Sequence, residues 1–325
     1  MTHAIPSKTI HIHRHQHHLK WSKQIPPVQT INSGDIVHFD AIDGSNGQIT
    51  KTSTESALST FDIARADPAV GPVFVTGAEP GDVLEVEILD LETTDWGWTG
   101  IFPGFGLLSD EFPDGALKIW QLDPDKPYAL FKEGIRIPQQ PFLGVMGVAP
   151  GAEGEFSMIP PTNAGGNIDC RYLTVGSKLF LPIQTPGALF SCGDGHIAQG
   201  DGEVCGTAIE TPLKATLRLS IHKNQPWLIA PQFQTTPRTA AGIHGADQAL
   251  PADKGEYATM GIDPDLLEAA KKATRSLIEW LVRNKELTRE EAYMLASVAG
   301  NLKIVEIVDM PNYAVAMSLP LNIFV

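Results

Sequence analysis

Glycine and proline set the grain of this chain. There are 30 glycines and 25 prolines among 325 residues, spread through roughly the first 260. They cut that stretch into short apolar runs between turn signals, the pattern of a β-rich chain rather than a helical one. The clearest runs are 36–39, 73–75, 83–91, 143–148, 178–182, 215–221 and 227–229. In 83–89, Glu85 and Glu87 alternate with Val86 and Ile88, which predicts a strand with one wet face.

Helical periodicity emerges only near the C-terminus. Asp263-Pro264-Asp265 offers an N-cap, a proline at the first helical position and early negative charge. Leu266, Ala270, Ala273, Leu277 and Leu281 then recur at helical spacing to about Arg283. A second helix is expected from Thr288, with Glu291 completing a capping box, and 302–308 reads as a strand broken by Pro311. The expected fold class is α+β and predominantly β. It has a β-sandwich-like core and a smaller α/β part that carries the C-terminal helices. The expected division is 1–230 for the β-rich region and 231–325 for an α+β part packed on it, the two forming either separate units or one continuous domain.

A net charge of −14, from 24 basic and 38 acidic residues, argues against a nucleic-acid partner, which requires a basic face. No stretch approaches the 18 or so apolar residues of a membrane-spanning helix. The three cysteines form no zinc-site pairs or disulfide framework, so a reducing cytoplasm is the expected compartment. Cys192 and Cys205 lie in apolar, strand-like sequence, which suits inert packing better than catalysis.

The densest polar cluster is 193–203, Gly-Asp-Gly-His-Ile-Ala-Gln-Gly-Asp-Gly-Glu. Four glycines punctuate Asp194, His196, Gln199, Asp201 and Glu203, so the backbone can turn tightly and gather these groups. Apolar runs flank the cluster on both sides, and polar groups held between core strands must be paired, hydrated or metal-bound. Two weaker constellations accompany it: Gly165-Gly166-Asn167-Ile168-Asp169, and Asp40 to Gln48 with Asp43. Each also fits a capped turn. The alternating histidines His11, His13, His15 and His17 fit either a surface metal site or a solvated terminal strand, and His18 is the one of this group placed for an internal role. Trp96, Trp98, Phe102 and Phe105 form an aromatic stretch suited to a pocket wall or to packing.

These segments, taken in order, resemble the acetamidase/formamidase family of amide hydrolases. The motifs are His18-Leu19-Lys20-Trp21, Asp43 with Gly47-Gln48-Ile49-Thr50, 71–84, Asp95-Trp96-Gly97-Trp98, Pro103-Gly104-Phe105-Gly106, 144–150, 165–169 and 193–203. The resemblance runs from about His18 to Phe324. Ala164 stands where several members carry histidine. The resemblance implies hydrolysis of short aliphatic amides to ammonia and a carboxylate, a homo-oligomer and a divalent metal, zinc before calcium. On that footing the expected metal ligands are Asp43, Asp169 and His196, with Asp194 as a fourth or a neighbour. Glu203 is the expected general base with Asp201 in reserve. Gly165, Gly166, Asn167 and Gln199 are expected to bind substrate, the first three at the oxyanion. Calcium favours six to eight oxygens, so His196 counts against it. The alternatives are a metal-dependent hydrolase of a cyclic amide and a non-catalytic protein that binds a small ligand.

Overall fold

The computed structural model describes residues 10–237 and 253–324; the outer ends of both expected regions, and 238–252, lie outside them. Two sheets form the core. The larger has nine strands in the spatial order Ile10–Ile12, Ile36–Ala41, Leu213–His222, Val83–Thr93, Lys178–Pro182, Gln232–Gln234, Glu256–Asp263, Tyr313–Pro320 and Asn301–Glu306. The second runs Gly165–Asn167, Phe142–Gly147, Phe190–His196, Ala69–Val75 and His17–His18, with Gln29–Ile31 also paired to Ala69–Val75. Strands before and after residue 230 thus share one sheet.

The two sheets face each other across one apolar core. Val37, Phe39, Val86 and Leu217 from the larger meet Val70, Met146, Phe190 and Cys192 from the smaller. Phe39 and Phe190 pack edge to face at 5.8 Å. Glu85 and Glu87 fall on the outer face as their alternation predicts, paired with Lys178 at 2.7 Å and Arg218 at 2.5 Å. The arrangement is the predominantly β, sandwich-like α+β fold expected.

Helix α1 (Leu266–Lys285) covers one end of the large sheet. Its Ala269, Ala273, Leu277 and Leu281 pack with Val315 and Leu319, and α2 (Arg289–Ala299) adds Ala292 and Ala296. The α1 cap differs from expectation by two residues. Asp265, not Asp263, accepts the Glu268 N–H, because Asp263 still belongs to the preceding strand and its carboxylate accepts from the Asp265 N–H. The Thr288 and Glu291 capping box is present.

Residues 227–229 are not a strand. Pro226 and Pro231 bracket them, and the strand begins after the second proline at Gln232. The strand expected over 302–308 ends at Glu306, whose carboxylate accepts the N–H groups of Val308 and Asp309 and turns the chain. That turn aims two acids at the centre of the molecule.

Candidate active site

Phe190–His196 is buried along its whole length. Successive side chains on a strand point to opposite faces, so Asp194 and His196 share one. The glycines between them are required by their neighbours: a Cβ on Gly193 would stand 2.0 Å from the Pro68 carbonyl, and one on Gly195 2.3 Å from that of Thr211. On the adjacent strand a Cβ at Gly144 would fall 2.2 Å from Asp194 Oδ2 and 2.5 Å from Asp169 Oδ1. Glycine there leaves the room in which the cluster assembles.

His196 Nε2 lies 3.0 Å from Asp194 Oδ2 and 3.1 Å from Glu210 Oε2. Neither contact has hydrogen-bond alignment, and Nε2, Asp194 Oδ1 and Glu210 Oε2 are buried polar atoms without a partner. The other ring nitrogen is committed. Gln199 Nε2 donates to the Asp169 carbonyl at 2.8 Å, leaving Gln199 Oε1 as acceptor for His196 Nδ1–H at 3.0 Å. This bond turns Nε2 toward two carboxylates, and although burial opposes a charge on the ring, Asp194 and Glu210 outweigh it and hold His196 well above its usual range. A second group sharing the same imidazole comprises Asp169 and Glu203, and both oxygens of Asp169 are unpartnered.

Asp43, Asp169, Asp194, Glu203, Glu210, Glu306 and Asp309 are all buried, and half-buried Asp67 joins them at the cavity wall. Among the described residues the only cationic group paired with any of them is His196. Burial, reinforced by neighbouring carboxylates, pushes Asp169 up to about 6. Burial likewise raises Glu210 and Glu306 to about 8. Glu203 and Asp309 are raised well above the usual range for the same reason. Asp194 alone is lowered: burial opposes ionisation, but the adjacent His196 outweighs it. Such a concentration of acid needs protons or a cation to balance it.

The backbone is also under constraint here. Asp67, Asp169, Asp194 and Glu203 all adopt positive φ, between 42° and 53°. Left-handed geometry costs a non-glycine residue about 1 kcal/mol or more, and it persists where surrounding structure imposes it, commonly at functional sites.

The expected site residues separate into groups. Asp169, Asp194, His196 and Glu203 converge. Asp43 lies beside them with Oδ1 occupied by Ser45 N–H at 3.0 Å, Ser45 Oγ at 2.5 Å and Trp98 Nε1 at 3.0 Å. Asp201 is exposed and accepts from the Tyr172 hydroxyl at 2.6 Å. Gly165 donates its N–H to the Thr162 carbonyl, and a Cβ there would stand 2.4 Å from the Met146 carbonyl. Gly165 and Gly166 thus permit close strand packing and do not line the cavity, whereas Asn167 does. Asn167 Nδ2 donates to Asp309 Oδ2 at 2.8 Å, and its Oδ1 is free. Gln199 holds His196 and Asp169 in place.

Glu210, Asp67, Glu306 and Asp309 also belong to the site, although no motif marks them. Their one signal is an acid set in an apolar run, as in Ile209-Glu210 and 304–309, where an unpaired charge is costly. The cavity above the cluster holds about 430 Å³ and is walled by Leu58, Phe61, Trp98, Phe102 and Phe105. Trp96 packs behind it. Cys170 is buried in the core, which pushes its thiol up to about 12, and burial likewise raises Cys192, as suits inert packing.

One imidazole nitrogen with several orphaned carboxylate oxygens, in a space cleared by Gly144, fits a divalent metal.

Comparison with known proteins adds a second line of evidence. The model of the Acetamidase/Formamidase family matches residues 5–154 and 152–325. The formamidase of Methylophilus methylotrophus is 26% identical over 95% of this chain and 89% of its own. The acetamidase of Bacillus halodurans has a similar structure, with a TM-score of 0.86 at 31% identity over 97% of this chain and 98% of that one. A γ-lactamase from Delftia acidovorans is more distant, with a TM-score of 0.65 at 25% identity over 94% and 88% of the two chains.

Proposed function

The chain belongs to the acetamidase/formamidase family and is an amidase of short linear amides, and we propose that it cleaves them at the buried cluster around His196. The observation that carries this reading is His196 Nε2 set against Asp194 and Glu210 at about 3 Å, with no lysine or arginine paired to any acid of the cluster among the described residues.

The reaction adds water to the amide carbonyl and releases ammonia and a carboxylate. His196, Asp194 and Glu210 would hold the metal with Asp169 alongside. Glu210 takes the place expected of Asp43, whose Oδ1 is already bonded to Ser45 and Trp98. A divalent metal in this position, zinc on the strength of the donor set, supplies a Lewis acid that lowers the pKa of water towards about 7 and polarises a carbonyl. Glu203 is the general base. It is buried at the cavity wall, takes a proton from the attacking water and returns it to the departing nitrogen. Asp201, hydrogen-bonded to Tyr172 and exposed, is poorly placed for that task. Asn167, with its amide nitrogen fixed by Asp309, presents Oδ1 to accept an N–H of the substrate amide. Leu58, Phe61 and Phe102 exclude water and limit the acyl group.

Free thiols suit a reducing cytoplasm, and exposed Leu107, Leu108 and Phe112 suit a homo-oligomer. No helix among the described residues is long and apolar enough to cross a membrane. Likeness to the γ-lactamase favours one second reading, ring opening of a cyclic amide.

The test is ammonia release from formamide, acetamide and propionamide, with amino-acid release from a γ-lactam measured alongside, before and after chelation and after zinc is restored. Turnover of a linear amide that follows zinc supports the reading. Turnover indifferent to the metal removes its role, lactam cleavage alone selects the second reading, and no turnover at full metal occupancy points to a binding protein.

A further inference from the structure

A second cavity, of about 540 Å³, lies behind the loop that carries Glu203. Glu203 and Thr207 line this cavity as well as the one above the metal cluster, so a single segment of chain divides the two. The cavity's character is different. Trp120, Phe131, Ile137 and Ala198 give it apolar walls, and Arg171 is the one cation among its described lining residues. The arginines held in ion pairs are Arg14, Arg218, Arg275, Arg283 and Arg289, so the Arg171 guanidinium is not neutralised by such a pair among the described residues. Asp201, on the same wall, accepts from Tyr172.

A guanidinium with no ion pair among the described residues, at the edge of an apolar chamber, is suited to a small carboxylate with a short hydrocarbon tail, because the planar fork takes both oxygens while the tail leaves water. Amide hydrolysis makes such a molecule on the other side of Glu203. There no lysine or arginine is paired with the site's acids among the described residues, whereas the second cavity offers the Arg171 guanidinium. We infer that the second cavity binds the short-chain carboxylate product, with the carboxylate on Arg171 and the acyl tail against Trp120, Phe131 and Ile137. This inference rests on the amidase reading for the identity of the ligand. It adds an anion site apart from the metal cluster that accounts for where the charged product is held as it leaves.

The experiment is calorimetric titration of acetate and butyrate into metal-loaded protein, for wild type, Arg171→Gln, Arg171→Lys and Ile137→Asp, with amide kinetics on the same preparations. Butyrate should bind more tightly than acetate. Arg171→Gln and Ile137→Asp should each weaken butyrate at least tenfold while kcat/KM stays within twofold, and Arg171→Lys should retain binding within about threefold. Because Ile137 lies on the strand Ile135–Pro138, which pairs only with Tyr128–Lys132 in a separate two-stranded sheet among the described residues, its variant tests the cavity independently if Arg171→Gln is poorly folded. Butyrate affinity unchanged in both Arg171→Gln and Ile137→Asp would overturn the inference, as would a preference for acetate. Absence of amide turnover in wild type would instead overturn the amidase reading, and the titration would still decide whether the cavity takes carboxylates.

Discussion

Gln199 orients the His196 ring. Its Nε2 is tied to the Asp169 carbonyl at 2.8 Å, so its Oε1, 3.0 Å from His196 Nδ1, can only accept, and the ring's Nε2 is turned to Asp194 and Glu210. Outer partners of metal-ligating histidines are worth roughly 10- to 100-fold in metal affinity. Gln199→Leu should therefore weaken zinc by about that factor, and saturating zinc should restore most of the activity. Measured zinc affinity equal to wild type would show that Gln199 only packs.

Glu210 and Asp43 are distinguished by what their oxygens already bond. Glu210 Oε2 has no partner, while Asp43 Oδ1 accepts from Ser45 and Trp98. Glu210→Gln should lose bound metal and at least about 100-fold in kcat, the scale of a lost catalytic contribution. Asp43→Ala should keep its metal and lose stability through the hydrogen bonds it leaves unmade to Ser45 and Trp98, by about 1 to 3 kcal/mol. Metal analysis beside urea unfolding separates the two, and the reverse pattern would reassign the ligand.

Glu203→Gln preserves shape and removes the base. We expect kcat to fall by roughly 100- to 10,000-fold with metal content unchanged, whereas Asp201→Asn should stay within a few-fold of wild type. Single-turnover ammonia release gives both numbers. A larger loss in Asp201→Asn would transfer the role.

The metal-free protein should be destabilised by alkali. Burial pushes Glu210 and Glu306 up to about 8. A folded-state pKa above the unfolded value means that the native chain binds the proton more tightly. Its contribution is complete below the unfolded value near 4 and is lost as pH rises through about 8. From pH 6.5 to 8.5 the chelated protein should lose at least about 4 °C more in Tm than the metal-loaded one. Parallel melting curves for the two forms would mean that the acids are balanced in some other way.

His18 has the opposite dependence. Burial lowers it to about 4, and its Nε2 pairs with Ser191 Oγ at 2.8 Å beneath Trp21. A depressed folded-state pKa gives stability that is present above the unfolded value near 6.5 and lost as pH falls through 4. Between pH 7 and pH 5 this single group accounts for about 2 kcal/mol. Urea unfolding of His18→Asn should show that much less acid sensitivity than wild type, and equal slopes would assign the acid response to other groups.

Much of this arrangement can be read from residue order because its causes are local. Alternating Glu85 and Glu87, the Thr288 capping box and the glycine spacing around Asp194 and His196 each act within a few residues. What escapes a linear reading is what distant segments do to one another. Glu210 looks like an isolated acid until its strand partner brings it to His196, and Gly165 looks like a ligand cradle until Met146 is seen packed against it. The shift of the α1 cap has the same origin: pairing with Tyr313–Pro320 holds Asp263 in its strand.

The order in which the ribosome delivers these residues matters as well. Asp43 and Asp169 emerge well before Glu306, which ends the strand Asn301–Glu306, and before Asp309, which anchors Asn167. A nascent chain therefore carries most of the acids of this cluster before the residues that complete it have been made. A chain cut short before residue 306 would keep most of the site's acids and lose both buried Glu306 and the Asp309 that holds Asn167.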